Sequence, residues 1–132
     1  MQLERHAKIY RQYYIRYTAI FYDIKSESEK MQVKSASSDT FDGLEIAGWL
    51  TRIFSMYQKH RNFLRLLASF CRILATLIKM SDQLPGTPES LNVTDRLREI
   101  LDHYEDLVEQ SRITADGTSL LLTTVSLPTA AR

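Results

Sequence analysis

Cysteine, glycine and proline are scarce in these 132 residues. The single cysteine, Cys71, excludes a disulfide within the chain and points to a reducing compartment. Four glycines and three prolines are too few for the turns of a β-sandwich. Excess charge of one sign is missing too. Seventeen Lys+Arg face sixteen Asp+Glu, so the net charge of +1 gives no global argument for nucleic acid. A long uncharged run is also absent. The most apolar window, 63–80, contains Arg65, Arg72 and Lys79, spaced seven apart. A membrane span would hold each of them at a cost of about 2.5–3.5 kcal/mol near mid-bilayer. The opening stretch carries Glu4, Arg5 and Lys8 with no signal-type apolar core behind them, which disfavours secretion. The expected compartment is the cytoplasm, with the nucleus also open. Asn92-Val93-Thr94 then has no role as a glycosylation acceptor.

What is present is ordinary for a folded chain: 44% apolar and 25% charged residues, at a length that suits one domain. Three polar or breaker segments divide it: 35–43 (SASSDTFDG), 83–90 (QLPGTPES) and 114–117 (TADG). The long stretches between them have helical period, and no internal repeat is found. In 2–34, Leu3, Ala7, Tyr10, Tyr14, Tyr17, Phe21, Ile24 and Met31 keep heptad spacing, with Ser28 interrupting. Ile9, Tyr13 and Ile20 widen the apolar arc to about 160°, enough to touch two neighbours. In 44–81, Ile46, Leu50, Ile53, Tyr57, Leu64, Leu67, Cys71, Leu74 and Ile78 hold a heptad line, with His60 as the exception. Beyond Asn62 its arc widens to about 220°, as for a helix covered on three sides. The polar face swings round near 59–62, which predicts a kink or break there. Unbroken, the helix would be about 57 Å long. In 94–113, Leu97, Ile100, Leu101, Tyr104, Leu107 and Val108 make a stripe of about 120°. Asn92 or Thr94 can cap it, or Pro88 behind Thr87 can start it earlier.

The expected fold class is all-α: an antiparallel bundle of three long helices, four if the second breaks near residue 60, with coiled-coil-like packing over 1–113. Residues 114–132 are expected to form a flexible tail, disordered or docked in extended form. The ending at Arg132 reads as that of a fragment of a longer protein.

Charge is segregated along the chain. Between Ile46 and Ser81 stand Arg52, Lys59, Arg61, Arg65, Arg72 and Lys79 and no acid. From Asp82 onward nine acids face four arginines. Two readings follow. The basic and acidic flanks of neighbouring helices match internally across their seam. Alternatively, the basic stripe faces outward to an acidic partner or a nucleic-acid backbone.

No constellation for catalysis stands out. His6, His60 and His103 lack metal-ligand spacing, and no glycine-rich phosphate loop occurs. Cys71 on its apolar line reads as a structural thiol, and Glu105 with Glu109 as an exposed flank. Ser35, Ser37, Ser38 and Thr87 are loop hydroxyls open to phosphorylation. Neither catalytic residues, metal ligands nor a cofactor are expected.

Five tyrosines between Tyr10 and Tyr22 interleave with Arg11 and Arg16, a composition used both by protein interfaces and by single-strand binders. Ile15 and Tyr22 lie one above the other on the face opposite the stripe, where nothing internal calls for an apolar side chain. The expected function is therefore a non-catalytic interaction module (adaptor, scaffold or chaperone-like), burying excess apolar helix surface against a protein partner or a second copy as a homo-oligomer. Its expected contacts are Ile15, Tyr22, Tyr13 and Trp49. The alternative is a nucleic-acid-associated subunit using the six-residue basic stripe and the Tyr/Arg face.

Overall fold

The computed structural model describes the backbone of residues 2–37 and 43–131, and side chains over 2–32 and 47–120. Among the described residues there are three α-helices and no strand: α1 (Gln2–Ser37), α2 (Gly43–Asp82) and α3 (Pro88–Ala131). The all-α three-helix bundle read from the sequence is the fold. Contacts advance together along α1 and α3, from Glu4 with Arg96 to Tyr14 with Tyr104, so these two run parallel. They advance oppositely along α2 and α3, from Asp82 with Arg98 to Phe70 with Tyr104, so α2 runs against both.

The turn between α2 and α3 closes on Gln83 N–H to Met80 O at 3.3 Å and Leu84 N–H to Ser81 O at 3.1 Å. Thr87 caps α3. Its hydroxyl accepts from Ser90 N–H at 3.2 Å, and Pro88 takes the first helical position, where its missing N–H costs nothing. Helix α3 thus starts ahead of Asn92 and Thr94, the other expected caps, which lie inside it. Glu89 in its first turn suits the helix dipole, as does Lys79 in the last turn of α2.

Two expectations are corrected. Helix α2 does not break near residue 60 but runs unbroken from Gly43 to Asp82. His60 is no interruption: it is 1% exposed on a buried line of Trp49, Ile53, Met56, His60, Phe63, Leu67, Leu74, Leu77 and Ser81. The expected line shares Ile53, Leu67 and Leu74 with it. At alternate positions Leu50, Tyr57, Leu64 and Ile78 give way to the residue just before them. Both choices are apolar, so composition alone could not decide between them.

The expected tail is also replaced by helix, since α3 continues through Thr114–Gly117 to Ala131. Its buried line passes from Leu97, Ile100, Tyr104 and Leu107 to Ser111, Ala115 and Thr118. Small and polar residues keep the heptad there, which reads in sequence as lost periodicity. Gly117 has no positive φ and makes no turn. It lies close to α1: a Cβ there would meet Gln32 Nε2 at 3.3 Å. The linker residues 38–42, with Ser38 among them, lie outside the described residues, as do the side chains of Ser35 and Ser37.

The chain divides into two compact units, each drawing one stretch from every helix. Unit 1 is residues 1–20 with 65–110, and unit 2 is residues 21–64 with 111–132. In unit 1, Tyr104 is fully buried and donates its hydroxyl to Tyr10 O at 2.7 Å. Burial, then the neighbouring Tyr17, Tyr10, Cys71 and Tyr13, raises the pKa of that phenol far above its ordinary range, so it stays a donor. In unit 2, Phe21, Ile24, Ile53 and Met56 share the interior with Ser28, His60, Ser111 and Thr118. Ser28 and Thr118 pair their hydroxyls at 2.9 Å, and Thr118 donates to Thr114 O at 3.1 Å.

Candidate protein-interaction surface

In unit 1 the packing of α1 on α2 is aromatic. Phe70 of α2 meets Tyr10 edge-on (5.6 Å), stacks on Tyr13 (6.1 Å), and tilts against Tyr17 (5.3 Å). On the other side of α1, Tyr14 stacks on His103 at 5.3 Å and meets Tyr104 edge-on at 5.6 Å. Offset and edge-on geometries are the favourable ones for rings. The tyrosine-rich stretch is therefore spent on internal packing, and Tyr13 alone of these four is exposed at one edge.

The four expected contact residues separate. Ile15, 65% exposed, belongs to unit 1, and Tyr22, 56% exposed, belongs to unit 2. Both stand out from their own packing as expected. Tyr13 is a mixed case, exposed at an edge yet held by Phe70 and by the Arg16 guanidinium 6.0 Å above its ring. Trp49 is a correction. It is 4% exposed and lies on the buried line of α2, so it belongs to the interior of unit 2. An indole in the first turns of a helix gives no sequence signal for which way it faces.

Sequence reasoning missed a second set. Leu66, Ile73 and Met80 were absorbed into the wide apolar arc of α2, yet all three are exposed in unit 1. The reason is geometric: unit 1 packs only α1 and α3 against this part of α2, so an arc that wide is not fully covered. The signal was available, since each follows directly on a cation of the seven-spaced set Arg65, Arg72 and Lys79. Phe54 in unit 2 is exposed in the same way.

The basic stripe is solvent-facing. Arg52, Lys59 and Arg61 lie in unit 2 and Arg65, Arg72 and Lys79 in unit 1, and all six are exposed. Among the described residues none of the six makes an ion pair. Arg52 and Arg61 lie over the Trp49 and Tyr57 rings, each at 5.8 Å. The described cross-helix ion pairs use other residues, Arg96 with Glu4 at 3.2 Å and Arg98 with Asp82 at 3.1 Å. Internal matching of α2 cations to α3 acids is thus not how the opposite charges are used.

Other chemistry is sparse. Burial pushes the Cys71 thiol up, and the Glu105 carboxylate adds to this, which lowers the thiolate fraction a nucleophile would need. His103 is exposed, 3.8 Å from Glu99. Among the described residues no three His, Cys, Asp or Glu side chains are grouped to hold a metal ion, and no helix is long and apolar enough to cross a membrane. An open cleft between α1 and α3 of unit 1 is lined by Glu4, Lys8, Arg11, Arg96, Glu99 and His103 around Ala7 and Ile100. Its charges are of both signs and the Glu4–Arg96 pair lies across it, so it selects no ligand charge. No family model, curated protein or solved structure matches the chain.

Proposed function

We propose that the chain is a non-catalytic helical interaction module whose work is to bind a second polypeptide. The observation that carries this is apolar surface left outside both units. Ile15, Tyr22, Phe54 and Met80 are each more than half exposed. Large apolar side chains in water on regular helices are what helix-mediated association buries. The reading covers adaptor, scaffold and chaperone-like roles alike, in the cytoplasm, and includes self-association as a homo-oligomer.

The nucleic-acid alternative draws support from the six exposed cations. Against it, the rings of Tyr10, Tyr13, Tyr14 and Tyr17 already stack internally, so few remain for bases. The test is a pull-down from native lysate with nuclease treatment, alongside light scattering of the purified chain. The module reading expects a polypeptide or a second copy that survives nuclease. It expects weakened capture in Ile15→Asp or in Tyr22→Glu, each made singly and of unchanged helicity. Capture abolished by nuclease, falling steeply with salt, supports the alternative instead.

A further inference from the structure

Within unit 1 the groove between α1 and α2 combines an apolar floor with rims of a single charge. On α2 the seam residues are Leu67, Phe70, Leu74 and Leu77. Leu66, Ile73 and Met80 stand to one side of that seam, at about 100° per residue, on the side of Phe70 that meets α1. On α1, Ile9, Tyr13 and Ile20 hold the flank toward α2, fixed there by the stacking of Tyr13 on Phe70. The register set by Phe70 between Tyr13 and Tyr17 brings Ile20 level with Leu66, and Tyr13 level with Ile73. The α2 wall repeats at seven residues, and on α1 Tyr13 and Ile20 are seven apart with Ile9 one turn before them. From Leu66 to Met80 the strip is about 21 Å long, two heptads of helix.

The rims are cationic throughout. Arg5 and Arg16 border the strip on α1, and Arg65, Arg72 and Lys79 border it on α2, all exposed. No acid occurs between Arg5 and Tyr22 or between Ile46 and Ser81. We infer that this groove seats an amphipathic helix with acidic flanks, supplied by a partner chain, as a fourth helix of unit 1. The inference rests on the interaction-module reading and names its partner class.

Seven-residue spacing on the α2 wall, with four- and seven-residue spacing on the α1 wall, fits an α-helix, whose apolar seam repeats in the same way. Five cations without an opposing acid select glutamate or aspartate at the positions flanking that seam and repel lysine. A flat anionic bilayer fits less well. Leu66 and Ile73 are little more than a third exposed, at 37% and 38%, so a flat surface reaches less of them than a helix lying along the groove. A second copy fits less well for another reason. Its acid-flanked helix is α3, whose apolar stripe Leu97, Ile100, Tyr104 and Leu107 is already buried.

Fluorescence anisotropy of the full chain tests this with two labelled peptides of about three heptads. Both carry leucine at the seam positions, one with glutamate and one with lysine at the flanks. Vesicles of phosphatidylcholine and phosphatidylglycerol are run in co-sedimentation. The glutamate peptide is expected to bind at least about tenfold more tightly than the lysine peptide. Arg65→Glu with Arg72→Glu, both exposed, should erase most of that preference, and Ile73→Asp should abolish binding of both. Equal affinity for the two peptides, no binding of either, or binding of vesicles alone overturns the inference. If neither peptide binds while nuclease-resistant capture sensitive to Ile15→Asp or to Tyr22→Glu persists, the groove assignment fails and the module reading stands. If the chain also stays monomeric and captures nothing, both fall.

Discussion

Unit 1 and unit 2 are built by the same three helices with different chemistry at the seam. In unit 1 the middle of the packing is aromatic, with Phe70 and Tyr104 touching rings of α1 and each other. In unit 2 the equivalent heptad positions hold Ser28, His60, Ser111 and Thr118, all at most 2% exposed. Ser28 and Thr118 satisfy one another, but His60 Nε2 and Ser111 Oγ are buried with no hydrogen-bond partner among the described residues. A buried polar atom left without a partner costs about 1–3 kcal/mol. Unit 1 has such atoms as well, Thr18 Oγ1 and Arg96 Nε, but they lie outside its aromatic centre, whereas in unit 2 they sit on the seam itself. Heptad spacing therefore sets the geometry in both units, while the residue type decides what fills the seam.

The largest effect that would break this contrast is removal of its aromatic centre. Phe70→Ala should destabilise the chain by about 3–5 kcal/mol, read by chemical denaturation. A loss under about 1 kcal/mol, within the range of ordinary surface changes, would show that the rings merely lie near one another. Next is His60. Burial lowers its pKa below the ordinary 6.5, Glu27 opposes this, and Lys59 reinforces it. The unfolded chain therefore takes up a proton first. The stability this group contributes is present above pH 6.5 and is lost as pH falls through the lower, folded value. Thermal melts from pH 8 to 5 should show that decline. His60→Leu should remove its histidine component and raise stability at neutral pH by about 1–3 kcal/mol.

Tyr104→Phe keeps the ring and removes the hydroxyl that donates to Tyr10 O, so a loss of about 0.5–1.5 kcal/mol is expected. The smallest effect is a gain. Gly117→Ala should stabilise by about 0.5–1 kcal/mol, because the exposed Gln32 amide can swing away from the new methyl. Gly48→Ala, with nothing near its Cβ position, serves as the reference. Destabilisation by Gly117→Ala beside a gain for Gly48→Ala would return 114–117 to a turn.

Much of this fold was legible in the amino-acid pattern. The α1 stripe was read well: Leu3, Ala7, Phe21, Ile24 and Met31 are buried, Tyr10, Tyr14 and Tyr17 are half-buried, and the interruption at Ser28 is itself buried. The misreadings share one cause. Where polar residues occupy the seam, as at His60, Ser111 and Thr118, apolar periodicity is lost although the helix is not. The exposed apolar surface was half legible. Ile15 and Tyr22 were read as exposed because their face is otherwise polar, and they are. Leu66, Ile73 and Met80 were missed because a wide apolar arc says how much surface needs covering but not how many neighbours exist to cover it. Charge told its sign and place along α2, but only side-chain geometry shows that these cations face outward.

A groove in unit 1 that seats an acidic helix should be visible by amide chemical-shift mapping of the full chain, titrated with the glutamate-flanked peptide. The expected shifts are grouped on Arg5 to Ile20 and on Arg65 to Met80. Shifts centred on the acidic face of α3 around Glu99 and Asp106, or spread evenly over the chain, would contradict it.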